Sequence, residues 1–113
     1  MQQVNLAVES LPGKAEGTRV VRVTGPVLLS NFFGLKAELE KDHTPVTVLD
    51  LTGVEYMDSA GMGAIINFYV SAQRRGQKLI AAGVNTRVME LFKLTHVDSL
   101  IPISATVEEA EKL

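Results

Sequence analysis

Hydrophobic and polar positions alternate in two stretches near the start of the chain. Val4, Leu6 and Val8 are separated by less hydrophobic residues, and Val21 and Val23 repeat this spacing. A period of two is typical of strands with one buried face. The stretch between them, LPGKAEG, contains a Pro-Gly pair that favours a turn. The pattern therefore predicts that the chain opens with a β-hairpin.

The spacing of apolar residues becomes helical in three later stretches. The predicted core-facing positions are Phe32, Leu35 and Leu39 in the first, Met62, Ile65, Ile66 and Tyr69 in the second, and Val88, Leu91 and Phe92 in the third. A polar residue able to cap the first turn precedes each stretch. These candidates are Ser30 or Asn31, then Asp58 or Ser59, then Asn85.

Three short apolar runs lie between and after these helices. The run VTVLDL at 46–51 is apolar almost throughout, as expected for a central strand covered on both faces. The run KLIAA at 78–82 predicts the next strand. The run LIPI at 100–103 predicts a last one, whose proline requires a sheet edge or a strand end. Thr106 followed by Glu109 has the spacing of a capping box and predicts a final helix.

The predicted order of elements is β-β-α-β-α-β-α-β-α. Strand-helix-strand units form right-handed parallel crossovers. We therefore expect an α/β fold with a mixed β-sheet, its helices mainly on one face and its second to fourth strands at the centre. The 113 residues fit one compact domain, which we expect to span 1–113.

Composition narrows the classes of function. The net charge is -2, and the Lys and Arg residues are scattered, so the basic surface expected of a nucleic-acid-binding protein is missing. The chain has no cysteine, which excludes disulfides, thiol nucleophiles and thiolate metal sites. It shows neither a signal-peptide pattern nor the roughly 20 apolar residues that a membrane span needs. We expect a cytoplasmic protein with no nucleic-acid partner and no membrane insertion.

The segment YMDSAGMG places an acid and a hydroxyl between the central strand and the second helix. In open α/β sheets, functional residues gather at the carboxyl ends of the strands and at the start of the helices that follow them. In a structural interpretation, Asp58 or Ser59 caps the helix, and Gly61 and Gly63 allow close packing. In a functional interpretation, Ser59 is a phosphorylation site. A helix N-terminus tolerates the added anion, and the glycines leave the hydroxyl and Met62 open to a partner. The local sequence leaves both interpretations open.

Catalytic roles have little support. Ser59 lacks the G-x-S-x-G elbow, and the histidines His43 and His96 lie in unrelated positions, so we do not expect a hydrolase. Asp50 lies at the end of the central strand, as does the phosphorylated aspartate of response-regulator receiver domains. The acidic pair that binds Mg²⁺ in those domains is missing from this chain. We expect Asp50 to support the following loop by accepting backbone N–H groups. No nucleotide-binding fingerprint is present. The sequence therefore predicts no catalytic residue, metal or cofactor, and no enzyme.

The chain from about Gly17 to the C-terminus resembles the STAS domain family, most closely its bacterial anti-sigma factor antagonists. The most specific feature is a strand ending in Leu-Asp-Leu, then a short loop, then Asp-Ser-x-Gly-Met-Gly at the start of a helix. The resemblance implies a β-sheet flanked by helices. It also implies that an anti-sigma factor serine kinase binds the chain and phosphorylates Ser59, that phosphorylation releases it, and that a PP2C-type phosphatase restores it.

We expect the partner to bind segment 25–31, the 52–58 loop and the start of the second helix. The predicted partner-binding residues are Gly25, Pro26, Val27, Leu28, Ser30, Asn31, Asp58, Ser59, Ala60, Gly61 and Met62. The resemblance implies that Asp58 helps in kinase recognition. Many family members carry acidic residues where this chain has Gly-Pro-Val-Leu, and another serine where it has Ala60. The apolar replacement suggests a different partner chemistry.

An alternative function stays open. The chain could be a STAS adaptor on a non-kinase partner, such as an ABC-transporter ATPase or a stressosome-like assembly, with no phosphate cycle. The apolar PVLL segment favours this alternative. A homodimer is open as well, because Ile65, Phe68 and Val70 could serve a core or a dimer face equally well.

Overall fold

The computed structural model describes residues 5–41 and 43–113. The strands are β1 (Ala7–Pro12), β2 (Thr18–Thr24), β3 (Val46–Gly53), β4 (Lys78–Ala82) and β5 (Ile103–Ser104). The α-helices are α1 (Phe32–Lys41), α2 (Ser59–Arg74), α3 (Thr86–Leu94) and α4 (Val107–Ala110), and Val97–Ser99 form a 3₁₀ turn. The predicted order of strands and α-helices is confirmed. In the part of the chain that the structure describes, no helix is both long and apolar enough to cross a membrane.

The five strands form one sheet in the order β1-β2-β3-β4-β5. β1 pairs with β2 antiparallel, and the other neighbours are parallel. The mixed sheet with β2 to β4 at its centre is therefore confirmed. Because β2, β3 and β4 run in the same direction, their carboxyl ends lie at one edge, and α2 begins at that edge.

The two faces of the sheet pack against different helices. One face presents Val21, Val23, Leu49 and Leu51, which are buried with residues of α1, α2 and α3. The other face presents Val20, Val48, Ile80 and Ala82, which are packed with Ala110 of α4. The prediction of helices mainly on one face is confirmed. Ile65 and Phe68 belong to the core, whereas Val70 is 41% exposed.

Strand boundaries differ from the predicted ones at both edges of the sheet. Val4, where the first strand was predicted to begin, lies outside the described residues. β1 extends to Pro12, because Leu11 pairs with Val20 in the hairpin, and an edge strand accommodates a terminal proline. The last strand contains only two residues, Ile103–Ser104, because the N–H of the preceding Ile101 donates to the carbonyl of Val97 at 2.9 Å and not to β4.

The predicted helix caps Asn85 and Thr106 are confirmed. Asn85 caps α3 by accepting the N–H of Val88 at 2.8 Å, and Thr106 caps α4 by accepting the N–H of Glu109 at 3.1 Å. Gly76 follows the end of α2 with a φ of 69°, a left-handed conformation that glycine adopts without strain.

Candidate functional site

Two segments leave the carboxyl edge of the sheet side by side. Beyond the ends of β2 and β3, Val27 forms an isolated parallel bridge with Met57. The N–H of Val27 donates to the carbonyl of Tyr56 at 3.2 Å, and the N–H of Asp58 donates to the carbonyl of Val27 at 3.1 Å. These bonds hold the segment after β2 in register with the loop that leads into α2.

Asp58 is the N-cap of α2. Its Oδ1 accepts the N–H groups of Ala60 and Gly61, each at 3.0 Å. Its Oδ2 accepts the N–H of Leu29 at 2.9 Å. One carboxylate therefore joins the start of α2 to the segment after β2. Ser59, the other predicted cap, is instead the first residue of the helix, and it is exposed.

The environment of Asp58 favours its charged form. Partial burial raises the pKa of the carboxyl, but the N–H groups of Gly61, Leu29 and Ala60 together lower it by more, so the net pKa lies below the ordinary value of 3.8. Asp58 is therefore anionic at neutral pH. Its negative charge is directed at backbone N–H groups.

Asn31 shapes the turn that precedes α1. Its Oδ1 accepts the N–H of Leu28 at 2.8 Å, and its Nδ2 donates to the carbonyl of Pro26 at 2.9 Å. The N–H of Phe32 donates to the carbonyl of Leu28 at 2.8 Å. The side chain of Asn31 thus holds the segment in which five other predicted partner-binding residues lie.

The two glycines of the motif have different surroundings. A Cβ on Gly61 would lie 2.6 Å from the carbonyl oxygen of Val27 and 2.8 Å from its Cγ1, so this glycine allows the predicted close packing. A Cβ on Gly63 would meet nothing within 4 Å, so the prediction that Gly63 serves close packing is wrong. A glycine inside a helix is about 0.5–1 kcal/mol less favourable than alanine. Gly63 therefore destabilises α2 without a compensating contact in the fold.

The predicted partner-binding residues differ in exposure. Ser30 and Ser59 are exposed, and the half-buried residues are Gly25, Pro26, Leu28, Asn31, Asp58 and Ala60. Val27 and Met62 are 0% exposed, and Gly61 is buried. The prediction that Met62 lies open as a contact surface is wrong, because its place in the core-facing stripe of α2 directs it inward. Val27, Gly61 and Met62 support the surface from beneath.

Two exposed apolar side chains beside this surface are missing from the predicted residues, although one of them, Leu29, lies within the predicted segment 25–31. Leu29 is 67% exposed and Phe33 is 66% exposed. The backbone of Leu29 is bound by Asp58, and the ring of Phe33 lies 4.3 Å from that of Phe32. The sequence contained a signal for Phe33: the core stripe at Phe32 and Leu35 leaves Phe33 facing outward.

Asp50 contacts Thr52, which was predicted to begin the loop but lies within β3, because the strand extends two residues beyond its predicted end. Its Oδ1 accepts the N–H of Thr52 at 3.0 Å and the Thr52 hydroxyl at 2.6 Å. Its Oδ2 lies 3.6 Å from Nε of Arg22 on the neighbouring strand. These contacts fix the point at which the loop leaves the sheet.

Asn85 supports the same loop from the other side. Its Nδ2 donates to the carbonyls of Val54 and Glu55 at 3.2 and 3.0 Å. In addition, the guanidinium of Arg87 lies 4.7 Å from the centre of the Tyr56 ring. The sequence identified Asn85 only as a cap, because its loop contacts join residues about 30 positions apart in the chain.

Neither histidine is placed to activate Ser59. His43 precedes β3 and Ser59 follows it, so the 8-residue strand, roughly 25 Å long, separates them. His96 follows the end of α3, whereas the start of α3 lies near the loop that leads to Ser59. Because a serine nucleophile needs a base within hydrogen-bonding reach, this arrangement does not support hydrolase chemistry.

Comparison with curated proteins gives partial matches. The anti-sigma-B factor antagonist of Listeria monocytogenes is 36% identical over 55 residues, which is 49% of this chain and 48% of that protein. The corresponding protein of Bacillus subtilis is 33% identical over 58 residues, 51% of this chain and 53% of that protein. The chain thus spans about half the length of these relatives.

Solved structures match over nearly the whole chain. An anti-sigma factor antagonist from Mycobacterium paratuberculosis has a TM-score of 0.79 at 21% identity, covering 96% of this chain and 92% of that one. The phosphorylated form of the Bacillus cell fate determinant SpoIIAA has a TM-score of 0.74 at 16% identity, covering 94% and 97%. The STAS domain of a SulP transporter from Vibrio cholerae has a TM-score of 0.73 at 21% identity, covering 87% and 80%.

The structural matches establish the fold, since their sequence identities are too low to carry more. The family assignment has separate support, because residues 13–110 match the family model described as the STAS domain. This match covers most of the chain, including both segments that form the candidate site. The chain belongs to the STAS domain family.

Proposed function

We propose that this chain is an anti-sigma factor antagonist that binds an anti-sigma factor serine kinase and is switched off by phosphorylation of Ser59. The observation that carries the proposal is the position of Ser59, exposed at the first residue of α2 and directly after the Asp58 cap. The names of the Listeria and Bacillus relatives support the assignment to this class of regulator. A PP2C-type phosphatase restores the unmodified form, and the cycle takes place in the cytoplasm.

The start of α2 offers a phosphate on Ser59 little compensation. The N–H groups of Ala60 and Gly61 already donate to the side chain of Asp58, and that of Met62 donates to its carbonyl at 3.0 Å. A phosphoserine carries about -1.5 to -2 charges at neutral pH. The added charge therefore lies beside an anionic carboxylate and faces solvent or the partner.

This arrangement lets phosphorylation weaken binding without refolding the domain. A contact with the partner excludes water, which raises the cost of placing like charges together. A penalty of about 2–4 kcal/mol changes a Kd by roughly 30- to 1,000-fold. Local electrostatics at Ser59 is thus sufficient to release a partner.

Phosphotransfer to the purified chain tests the proposal. Anti-sigma factors encoded in the same genome are purified and incubated with the chain and ATP, and the modified residue is mapped by mass spectrometry. We expect one phosphate, on Ser59, and none on the Ser59→Ala variant. Ser99→Ala is the matched control, because Ser99 is also exposed but lies in the 3₁₀ turn after α3, outside the predicted partner-binding residues, and its removal leaves phosphorylation unchanged. Phosphate on another residue, or none at all, contradicts the proposal.

A second candidate is a STAS adaptor that docks on a non-kinase partner, such as an ABC-transporter ATPase or a stressosome-like assembly. The exposed apolar side chain of Leu29 favours this candidate, as does the absence of acidic residues from segment 25–31. The likeness to the STAS domain of a transporter is compatible with it. No kinase transfers phosphate to an adaptor without a phosphate cycle, so the phosphotransfer experiment separates the two candidates.

A further inference from the structure

The surface around Ser59 is formed by two uncharged stretches of the chain. Residues 25–35 and 59–73 contain no Asp, Glu, Lys or Arg. The carboxylate of Asp58, which lies between them, is directed at three backbone N–H groups. Other charged side chains lie at the borders, namely Lys36, Glu55 and Arg87, whose guanidinium lies over the ring of Tyr56. An unmodified Ser59 is therefore surrounded by a largely uncharged surface.

Leu29 and Phe33 are large apolar side chains exposed on this surface. The N–H groups of Asn31 and Phe32 both donate to the carbonyl of Leu28, so the chain already turns helically before α1. Leu29 and Phe33 are four residues apart along this turn, a spacing that places two side chains on the same side of a helix. They are 67% and 66% exposed.

The backbone of Leu29 and the ring of Phe33 are held in place before any partner binds. The backbone N–H of Leu29 is fixed by Asp58, and the ring of Phe33 contacts the ring of Phe32, which packs against the core. Pre-organised apolar side chains lose little conformational entropy on binding, and such residues carry much of the energy in protein interfaces.

Two helical glycines leave room for a partner to approach. Neither Gly34 in α1 nor Gly63 in α2 has any atom within 4 Å of the position that a Cβ would occupy. Gly63 lies four residues after Ser59 and is on the same side of α2. Both glycines lower helix stability with no contact in the fold to explain them, which fits close approach by another backbone.

We propose that the anti-sigma factor docks on this surface through an uncharged, apolar patch of its own, with Leu29 and Phe33 as the anchors. The occupant follows from complementarity, because a surface with charges only at its borders gains little from a charged partner patch, and that patch loses the solvation of its charge. This inference rests on the proposed function and specifies its partner chemistry. A phosphate on Ser59 would then be an unpaired charge inside an apolar contact.

Titration calorimetry with the anti-sigma factor that phosphorylates the wild-type chain tests the docking chemistry. We expect Leu29→Ala and Phe33→Ala each to weaken binding about tenfold or more. Leu94→Ala is the matched control, since Leu94 is an exposed leucine in α3, 78% exposed, and its removal should change the Kd less than about twofold. Raising NaCl from about 50 to about 500 mM should change the wild-type Kd less than about threefold, because an apolar contact has no ion pairs between the two proteins for salt to screen.

The outcomes separate this inference from the proposed function. If no anti-sigma factor binds the wild-type chain, both fail. If one binds but Leu29→Ala and Phe33→Ala behave as Leu94→Ala does, or if salt weakens the Kd about 100-fold, only the apolar docking is overturned. Self-association of the wild-type chain that Leu29→Ala abolishes would assign the patch to a second copy and would also overturn it. Circular dichroism of each variant checks that the fold is retained.

Discussion

Gly61 packs directly on the backbone of Val27, and a Cβ at position 61 would lie only 2.6 Å from the Val27 carbonyl oxygen. That carbonyl also accepts the N–H of Asp58 at 3.1 Å. The first turn of α2 is therefore joined to the extension of β2 by packing and by a hydrogen bond. Ser59 lies on the outer side of this junction, where it is exposed.

Alanine at the two motif glycines should have opposite effects on stability. Gly61→Ala forces the helix and the Val27 backbone apart and should lower the free energy of unfolding by about 1–3 kcal/mol. Gly63→Ala adds a methyl group in open space and should raise it by up to about 1 kcal/mol, because alanine favours the helix. Urea denaturation of both variants measures the difference. Equal effects of the same sign would contradict the packing described for Gly61.

Removing the side chain of Asp58 should destabilise the fold. Asp58→Ala leaves the N–H groups of Ala60, Gly61 and Leu29 without their acceptor and should lower the free energy of unfolding by about 1–2 kcal/mol at pH 7. Asp58→Asn is the matched variant, since asparagine caps helices about as well as aspartate. It should lower the free energy of unfolding by less than Asp58→Ala does. Thermal and urea denaturation measure both values. A larger loss for Asn than for Ala would contradict the capping role.

The stabilisation by Asp58 should also depend on pH. Its pKa in the folded chain is lower than the ordinary value of 3.8, because the backbone N–H groups outweigh the effect of partial burial. The carboxylate therefore contributes its full stabilisation above the unfolded-state pKa and loses it as the pH falls through the folded-state pKa. The stability gap between wild type and Asp58→Ala should be constant from about pH 5 to 8 and shrink below about pH 4. A gap that widens on acidification would be inconsistent with this environment.

Asn85 allows the support of the loop before α2 to be separated from the capping of α3. Asn85→Ser keeps a good N-cap but loses the amide that donates to the carbonyls of Val54 and Glu55. We expect amide hydrogen exchange in residues 54–58 to become several-fold faster, with global stability reduced by no more than about 1 kcal/mol. Asn85→Ala should lower the free energy of unfolding by a further ~1 kcal/mol, because it also removes the cap of α3. Unchanged exchange in Asn85→Ser would show that the loop is held by other contacts.

Local patterns predicted the order of elements because period, caps and turn residues act over a few positions. Asn85 and Thr106 were identified as caps because the N–H groups that they bind lie three residues ahead. The ends of strands are predicted less accurately, since the end of β1 is set by the pairing of Leu11 with Val20 across the hairpin. Alternation indicates which face a residue occupies, but not how far pairing continues.

The candidate site was predicted less completely, because its geometry depends on contacts distant in sequence. The bond from Leu29 to Asp58 joins residues 29 positions apart, and no local pattern contains it. Gly61 and Gly63 look equivalent in the sequence, yet only Gly61 faces Val27. Met62 was expected to be exposed from its neighbours, although its place in the helical stripe already pointed to the core.

In the proposed switch, charge on Ser59 controls partner binding without refolding the domain, and direct titration measures this effect. The chain is prepared unmodified, as Ser59→Ala, and with phosphoserine incorporated at position 59, and each form is titrated into the anti-sigma factor by calorimetry. We predict that Ser59→Ala binds within about twofold of the unmodified chain, whereas phosphoserine weakens the Kd by at least about 30-fold with an unchanged circular dichroism spectrum. Equal affinities of the unmodified and phosphorylated forms would contradict the switch.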